Sequence, residues 1–233
     1  MALLCYRLFP QQLPPCSTLE YAGICAQARQ VGGDYYDFLS LGQERIALVA
    51  GKGIAAALLM ANLQAYLRSH CAMALNQPQE LLRSVNQLFY ENTTPSAYAT
   101  LFFAEYDNRS QRLCYVNCGH LSGLLLRRDN SVERLESTCT VLGLFADWDC
   151  VLGECRLSGE DILALYTDGV TESFNDAGEE FGEEGVVQSL YRHRGLAPQE
   201  MVQAILADVR QFGTQEQHDD ITLMVARCRG TTM

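Results

Sequence analysis

The hydrophobic pattern changes period along the 233-residue chain, and this change limits the fold more than any other feature. Between Ala99 and Tyr166 the apolar residues form short runs that predict successive strands, including a hairpin across the turn Asp107–Ser110. Because strand runs and helix runs are grouped rather than alternating, the pattern favours layered antiparallel sheets over a doubly wound parallel sheet. The predicted helices span Ile54–Ser69, a segment that begins at Pro78, Glu183–Tyr191 and Pro198–Phe212, and Ile221–Cys228 is predicted to close the chain as a strand.

Composition and charge exclude several classes of protein. A net charge of −11 argues against a nucleic-acid surface, which needs clustered Lys and Arg. The longest apolar run, Ile54–Ala61, is too short to cross a bilayer, and the first residues do not form a secretory signal. None of the 10 cysteines forms a C-x-x-C pair, which favours free thiols in a reducing compartment. We therefore expect one cytoplasmic domain over residues 1–233, with no nucleic-acid or membrane partner.

Three acidic clusters follow or precede apolar segments. They contain Asp34 and Asp37, Asp168, and the pair Asp219 and Asp220. Carboxylates at strand ends can converge on one point, and Mg²⁺ and Mn²⁺ prefer such oxygen ligands. Two such ions about 3.5–4 Å apart can share and activate a hydroxide that attacks phosphorus. Taken singly, however, each cluster is equally typical of a turn or a helix cap.

The order of five motifs is more specific than any one of them. The motifs are Val31–Phe38 around Gly33-Asp34, Gly51–Met60 around Lys52, Tyr115–His120, Tyr166–Glu172 around Asp168-Gly169, and Asp219–Thr222. Together they resemble the SpoIIE-type phosphatase domain, a bacterial branch of the metal-dependent PPM phosphatases that are related to the type 2C enzymes. The resemblance covers about Leu13 to Cys228.

This resemblance implies a fold and an activity. The fold is an α/β (α+β) four-layer αββα sandwich, with two central antiparallel sheets flanked by helices. The activity is hydrolysis of phosphoserine or phosphothreonine on a protein, with two Mn or Mg ions as cofactors. The usual partner of such domains is a small phosphorylated protein of the anti-anti-sigma-factor type, and a homodimer is left open.

The resemblance also implies roles for individual residues. Asp34 would be a ligand of one metal, whereas Asp168 and Asp219 would bind the other. No side chain would act as the nucleophile, since a metal-bound water would attack the phosphate. Four further residues would support the site, Val49 and Gly169 through the backbone and Asp37 and Asp220 by orienting waters or neighbouring groups. Lys52 would contact phosphate or the partner, or would simply be solvated.

One departure from the family pattern stands out. The family usually has the run Asp-Val-Ser/Ala-Gly-Lys-Gly, whose Asp bridges both metals, but Leu48 stands at that place here. The strand before it, Arg45–Val49, is about four residues short, as if the segment with the Asp were removed at Val49–Ala50. Three explanations stay open: the segment is missing from the sequence, the protein is natively degenerate, or a nearby acid substitutes. Glu44 lies too early on the strand to be that acid.

The missing carboxylate leaves a second function open. A degenerate pseudophosphatase would bind a phosphoprotein or a regulatory partner without turning it over. A di-metal nuclease is the third hypothesis, and the acidic charge and the lack of a basic stripe count against it.

Overall fold

The computed structural model describes residues 9–29, 32–42, 44–53, 56–71, 77–213, 217 and 219–229. Strands and helices follow each other in these residues much as the hydrophobic pattern predicts. The strands are β1 Leu19–Ala26, β2 Asp34–Gly42, β3 Arg45–Gly53, β4 Ala99–Asp107, β5 Arg112–Cys118, β6 Gly123–Leu126, β7 Val132–Leu135, β8 Gly153–Arg156, β9 Ile162–Tyr166 and β10 Ile221–Cys228. The helices are α1 Ala56–Cys71, α2 Pro78–Asn92, α3 Asp168–Thr171, α4 Gly182–His193 and α5 Pro198–Phe212.

The strands form two five-stranded sheets in which every pairing is antiparallel. The first sheet has the order β1-β10-β9-β6-β7, and the second has the order β2-β3-β4-β5-β8. The predicted hairpin is confirmed as β4–β5, with Asp107 opposite Arg112. Three of the eight described pairings, β2–β3, β4–β5 and β6–β7, are hairpins, and the other five join strands separated by helices or other strands.

Three apolar cores lie between four layers. The core between the two sheets includes Tyr36, Phe102 and Met224. A second core, with Phe89 and Phe103, lies between the second sheet and helices α1 and α2. The third packs helices α4 and α5 on the outer face of the first sheet. The predicted αββα sandwich is confirmed, and it lets residues at one end of both sheets approach each other.

Most element boundaries agree with the sequence within two or three residues. Helix α1 ends at Cys71 and not at Ser69, while its predicted first residue, Ile54, lies outside the described residues. The cysteines that the structure describes are all free thiols. In the described part of the chain, no helix has the length and apolar character to cross a bilayer. The single domain over 1–233 stays a prediction.

Strand β3 runs through Val49–Ala50 without a break, and the expected loss of the family's segment at this place stays a prediction. It has nine residues, the same number as β2 and β4, and its pairing with β4 runs without a break from Arg45 to Gly53. The irregularity of the β2–β3 hairpin lies elsewhere, between Ser40 and Gly42. The residues after Val49 continue the strand, so Lys52 is drawn into the ladder.

Candidate active site

Three of the predicted carboxylates lie at one end of the sandwich. Asp168 follows β9 and Asp219 precedes β10, and these two strands are antiparallel neighbours, so their adjoining ends lie at the same edge. Asp34 begins β2 in the other sheet. The site is therefore formed by both sheets, which explains why residues far apart in sequence meet there.

Lys52 lies at the centre of this cluster. In the β2–β3 hairpin it is directly opposite Asp34. Its ammonium group donates a hydrogen bond to Oδ1 of Asp168 and another, of 2.7 Å, to Oδ2 of Asp219. Burial alone would lower the pKa of Lys52, but the hydrogen bonds from its ammonium to the two carboxylates outweigh burial and raise it. The side chain is therefore a cation at neutral pH.

Leu48, expected at the place of the bridging carboxylate, lies away from this cluster. Its side chain is 1% exposed and belongs to the core between the sheets. Side chains of a strand alternate between faces, so Leu48, Ala50 and Lys52 share the face that looks toward the other sheet. Of these three, Lys52 is the one at the site. That Leu48 takes the place of the family's bridging carboxylate stays a prediction.

Asp34 is the most buried carboxylate of the site. Thr167 donates a hydrogen bond of 2.6 Å from Oγ1 to Oδ2 of Asp34, while Oδ1 is buried without a hydrogen-bond partner. Burial raises the pKa of Asp34 to about 7, and the hydrogen bond from Thr167 opposes this effect. Thr167 also accepts a hydrogen bond of 3.1 Å from the backbone N–H of Thr222, which fixes its orientation.

Thr167 was missed as a functional residue, although it lies inside the motif Tyr166–Glu172. The sequence feature that could have revealed it is its position between a buried strand and Asp168, where a hydroxyl can hydrogen-bond to the other sheet. Its contact with Asp34 joins β2 to the end of β9.

Asp220 and Gly169 are the sequence neighbours of Asp219 and Asp168. Asp220 is buried and accepts a hydrogen bond of 2.9 Å from the backbone N–H of Ala28, which ties the end of β1 to the start of β10. A Cβ at Gly169 would lie 2.0 Å from the backbone oxygen of Asp220. Only glycine allows this close approach, so Gly169 sets the position of Asp168 relative to Asp219. Their assignment as supporting residues stays a prediction.

The structure does not bring Asp37 or Val49 to the site. Asp37 points from the opposite face of β2, where Arg68 of α1 donates two hydrogen bonds to it, of 2.8 and 2.9 Å. Val49 is fully buried in the core against α1 and α2, and its backbone pairs with Asp37 on one side and Phe103 on the other. Strand alternation directs the side chain of Asp37 away from the cluster, and the backbone of Val49 is engaged in strand pairing. The supporting roles of both residues stay predictions.

His120 has a structural position beside the cluster. Its Nδ1 lies 3.1 Å from Oγ1 of Thr100, and Thr100 is the partner of Lys52 on β4. Burial lowers the pKa of His120 to about 4, so the imidazole is neutral at neutral pH.

The donor set fits one divalent ion better than a bridged pair. Among the residues described, no group of three or more His, Cys, Asp or Glu side chains is arranged to hold a metal. Asp168 and Asp219 do direct carboxylate oxygens at one point, the Nζ of Lys52, and hard oxygen ligands suit Mg²⁺ or Mn²⁺. The unpaired Oδ1 of Asp34 is a further oxygen. No carboxylate stands opposite Asp34 on β3, because that place is taken by Lys52.

Comparison with known proteins identifies a family for this chain. Residues 46–229 match the family model of stage II sporulation protein E (SpoIIE). Phosphoserine phosphatase RsbU of Bacillus subtilis is 32% identical over 225 residues, which cover 94% of this chain and 66% of RsbU. Protein IcfG of Synechocystis is 26% identical and is covered over 39% of its length. The chain thus spans less than two thirds of these curated relatives.

Solved structures share the fold. The SiaA-PP2C domain of Pseudomonas aeruginosa superposes with a TM-score of 0.78 at 20% identity, covering 89% of this chain and 85% of that domain. The catalytic domain of the serine/threonine phosphatase PstP, solved in complex with 2 manganese ions, gives a TM-score of 0.67 at 17% identity, covering 91% and 99%. With the five ordered motifs, these matches lead to one conclusion: the chain belongs to the SpoIIE family of PPM-type protein phosphatases, which are hydrolases.

Proposed function

We propose that this chain hydrolyses phosphoserine or phosphothreonine on a protein partner. The observation that carries the proposal is the convergence of Asp168 and Asp219, with Asp34 beside them, at the sheet ends of a SpoIIE-family sandwich. The name of RsbU, a phosphoserine phosphatase, supports the same class of substrate.

Asp168 and Asp219 would hold a Mn or Mg ion, because their oxygens already point at a common position. Bound there, the ion supplies Lewis acidity and an activated water, so no side chain has to act as nucleophile. Asp34 keeps one buried carboxylate oxygen without a hydrogen-bond partner, and Thr167 donates to the other oxygen and holds this carboxylate in place. Two ions, the number in the PstP complex, remain the prediction from family resemblance, and Asp34 would be the ligand of the second.

The partner we propose is a small phosphorylated protein of the anti-anti-sigma-factor type in the bacterial cytoplasm. The relatives RsbU and RsbP, both named phosphoserine phosphatases, support a phosphoserine-bearing substrate. Half-exposed carboxylates at the end of the sandwich are accessible to a phosphoserine carried on a protein surface. A homodimer stays a prediction.

Turnover of a phosphoserine peptide with Mn²⁺ tests this function. We expect metal-dependent phosphate release by the wild-type chain, and a loss of at least about 100-fold in Asp168→Asn, because the ion loses a charged ligand. Asp147→Asn is the matched control, since Asp147 is exposed in the loop before Trp148. No release by the wild type would refute the enzymatic proposal, and full activity of Asp168→Asn would refute the site.

One observation favours the alternative of binding without turnover. Lys52 already neutralises part of the charge of Asp168 and Asp219, as a bound ion would. A chain that binds a phosphoserine protein with the same affinity in EDTA and in Mn²⁺, and releases no phosphate, would have this function.

A further inference from the structure

Lys52 is the sole lysine in the sequence. The other 16 of its 17 basic residues are arginines. A lysine ammonium is a compact point charge on a flexible four-carbon stem, whereas a guanidinium is a planar fork. The chain uses its one lysine where a small cation is shared by two carboxylates.

The backbone of Lys52 is fixed by strand pairing on both sides. It lies opposite Asp34 of β2 and Thr100 of β4. The adjacent Gly51 packs closely against β4, since a Cβ there would lie 3.0 Å from the carbonyl oxygen of Thr100. The ladder therefore holds the Cα in place and leaves only the four-carbon side chain free to move.

The ammonium group joins the two sheets. Lys52 belongs to the second sheet, while Asp168 and Asp219 flank β9 and β10 of the first. All three side chains are partly exposed, with 28% of Lys52, 33% of Asp168 and 50% of Asp219 accessible. Water can therefore reach the ion pairs, and a released ammonium can be solvated without crossing the protein interior.

A divalent ion and the ammonium need the same oxygens. Asp168 Oδ1 and Asp219 Oδ2 are both hydrogen-bonded to Nζ, and two cations at one point repel each other. We infer that Lys52 is a resident cation of the Asp168–Asp219 pair, and that a divalent ion binds there only by displacing its ammonium into solvent. Lys52 thereby sets the metal concentration at which the site is loaded. As a statement about catalysis, this inference rests on the proposed function.

Binding of Mn²⁺, measured by isothermal titration and by the loss of the free Mn²⁺ EPR signal, tests the competition. We expect Lys52→Met to bind Mn²⁺ at least about tenfold more tightly than the wild type, because two charge-assisted hydrogen bonds no longer have to be broken. Arg83→Met is the matched control, because Arg83 also pairs with two carboxylates, Glu80 and Asp149, on the surface. Equal or weaker binding by Lys52→Met would overturn the inference.

A second measurement uses the uniqueness of Lys52. In protein labelled with ¹³Cε-lysine, the one lysine gives one side-chain signal that needs no assignment. During titration with diamagnetic Mg²⁺ we expect this signal to shift and narrow in step with metal binding, as the ammonium is released. Metal binding without any change in the lysine signal would overturn the inference.

The two proposals fail in different ways. Release of Lys52 by Mg²⁺ without any phosphate release in Mn²⁺ would refute the proposed phosphatase activity and leave the inference intact. Phosphate release with tight wild-type Mn²⁺ binding, unchanged by Lys52→Met, would refute the inference alone. Absence of metal binding by both the wild type and Lys52→Met would overturn the inference. Phosphate release from the phosphoserine peptide would then decide the function.

Discussion

Two carboxylate–cation clusters lie on opposite faces of the β2–β3 hairpin, and they differ in the access of water to their carboxylates. Asp37 has no exposed surface and is bonded by Arg68, by the hydroxyl of Tyr35 and by the backbone N–H of Phe38. Lys52, at the sheet end, shares its ammonium between Asp168 and Asp219, both of which reach water. Breaking the first cluster strands a buried charge, whereas breaking the second exposes charges to solvent.

The contrast shows what a carboxylate needs in this fold. At Asp37 it has a bidentate cation and further donors, and at Asp168 and Asp219 it has water and an exchangeable cation. The first cluster connects α1 to β2 and belongs to the structure. The second is available for a ligand, since its cation can leave without an uncompensated charge remaining inside the protein.

A carboxylate at Leu48 would have neither cation nor water. We expect Leu48→Asp to destabilise the protein by at least about 4 kcal/mol, because it places a charge in the core between the sheets. Urea denaturation measures this loss, with Leu48→Met as the control that keeps the apolar volume. A folded Leu48→Asp protein with increased Mn²⁺ affinity would show that position 48, and not position 52, belongs to the metal site.

Arg68→Met breaks the buried cluster. We expect a loss of about 2–3 kcal/mol in the free energy of unfolding, less than the ~3–5 of a fully buried pair because Arg68 is half-exposed. The hydrogen bonds from Tyr35 and Phe38 remain with Asp37. Urea denaturation beside Arg83→Met, a surface ion-pair variant for which we expect no measurable change, checks the value. Equal stability of the two variants would contradict the structural role of Asp37.

Most of the fold could be predicted from the sequence because it depends on hydrophobic period. The apolar run at Ala99–Tyr106 and the helical stripe at Pro198–Phe212 each encode one element with little influence from elsewhere. The sequence also placed Asp168 and Asp219 together, since one follows and the other precedes an apolar strand, and in the structure both contact Lys52.

The centre of the site could not be predicted from motif alignment. Which residue of β3 faces Asp34 depends on the hairpin register, and a shift of one residue reverses every side chain. Alignment of the family motif on the glycines after the strand places the bridging carboxylate at Leu48. The pairing of β2 with β3 places Lys52 opposite Asp34. Asp34 and Asp37 are three residues apart on β2, so their side chains lie on opposite faces of the strand although they are close in sequence.

Lys52→Asp changes the exchangeable cluster into a fully acidic one. Without metal we expect lower stability than in the wild type, since Asp34, Asp168 and Asp219 gain a fourth like charge and lose their ammonium. With Mn²⁺ at about 100 times its dissociation constant, linkage predicts about 2.7 kcal/mol of stabilisation. Thermal melts with and without Mn²⁺ measure both effects. A variant that melts at the same temperature in EDTA and in Mn²⁺ would contradict the placement of position 52 at the metal site.

Lys52→Met should change the free energy of unfolding least. Its comparison with Arg68→Met tests most directly whether the two clusters differ in their contribution to stability. Without metal we expect the free energy of unfolding to change by no more than about 1 kcal/mol, because Asp168 and Asp219 remain solvated when the ammonium is removed. Loss of the ion pairs from Lys52 to Asp168 and Asp219 destabilises the protein, whereas removal of a partly desolvated ammonium stabilises it. Urea denaturation in EDTA is the measurement, with Arg68→Met at the other face of the hairpin for comparison. A loss as large as that of Arg68→Met would mean that the ammonium is a structural clamp between the sheets and not an exchangeable cation.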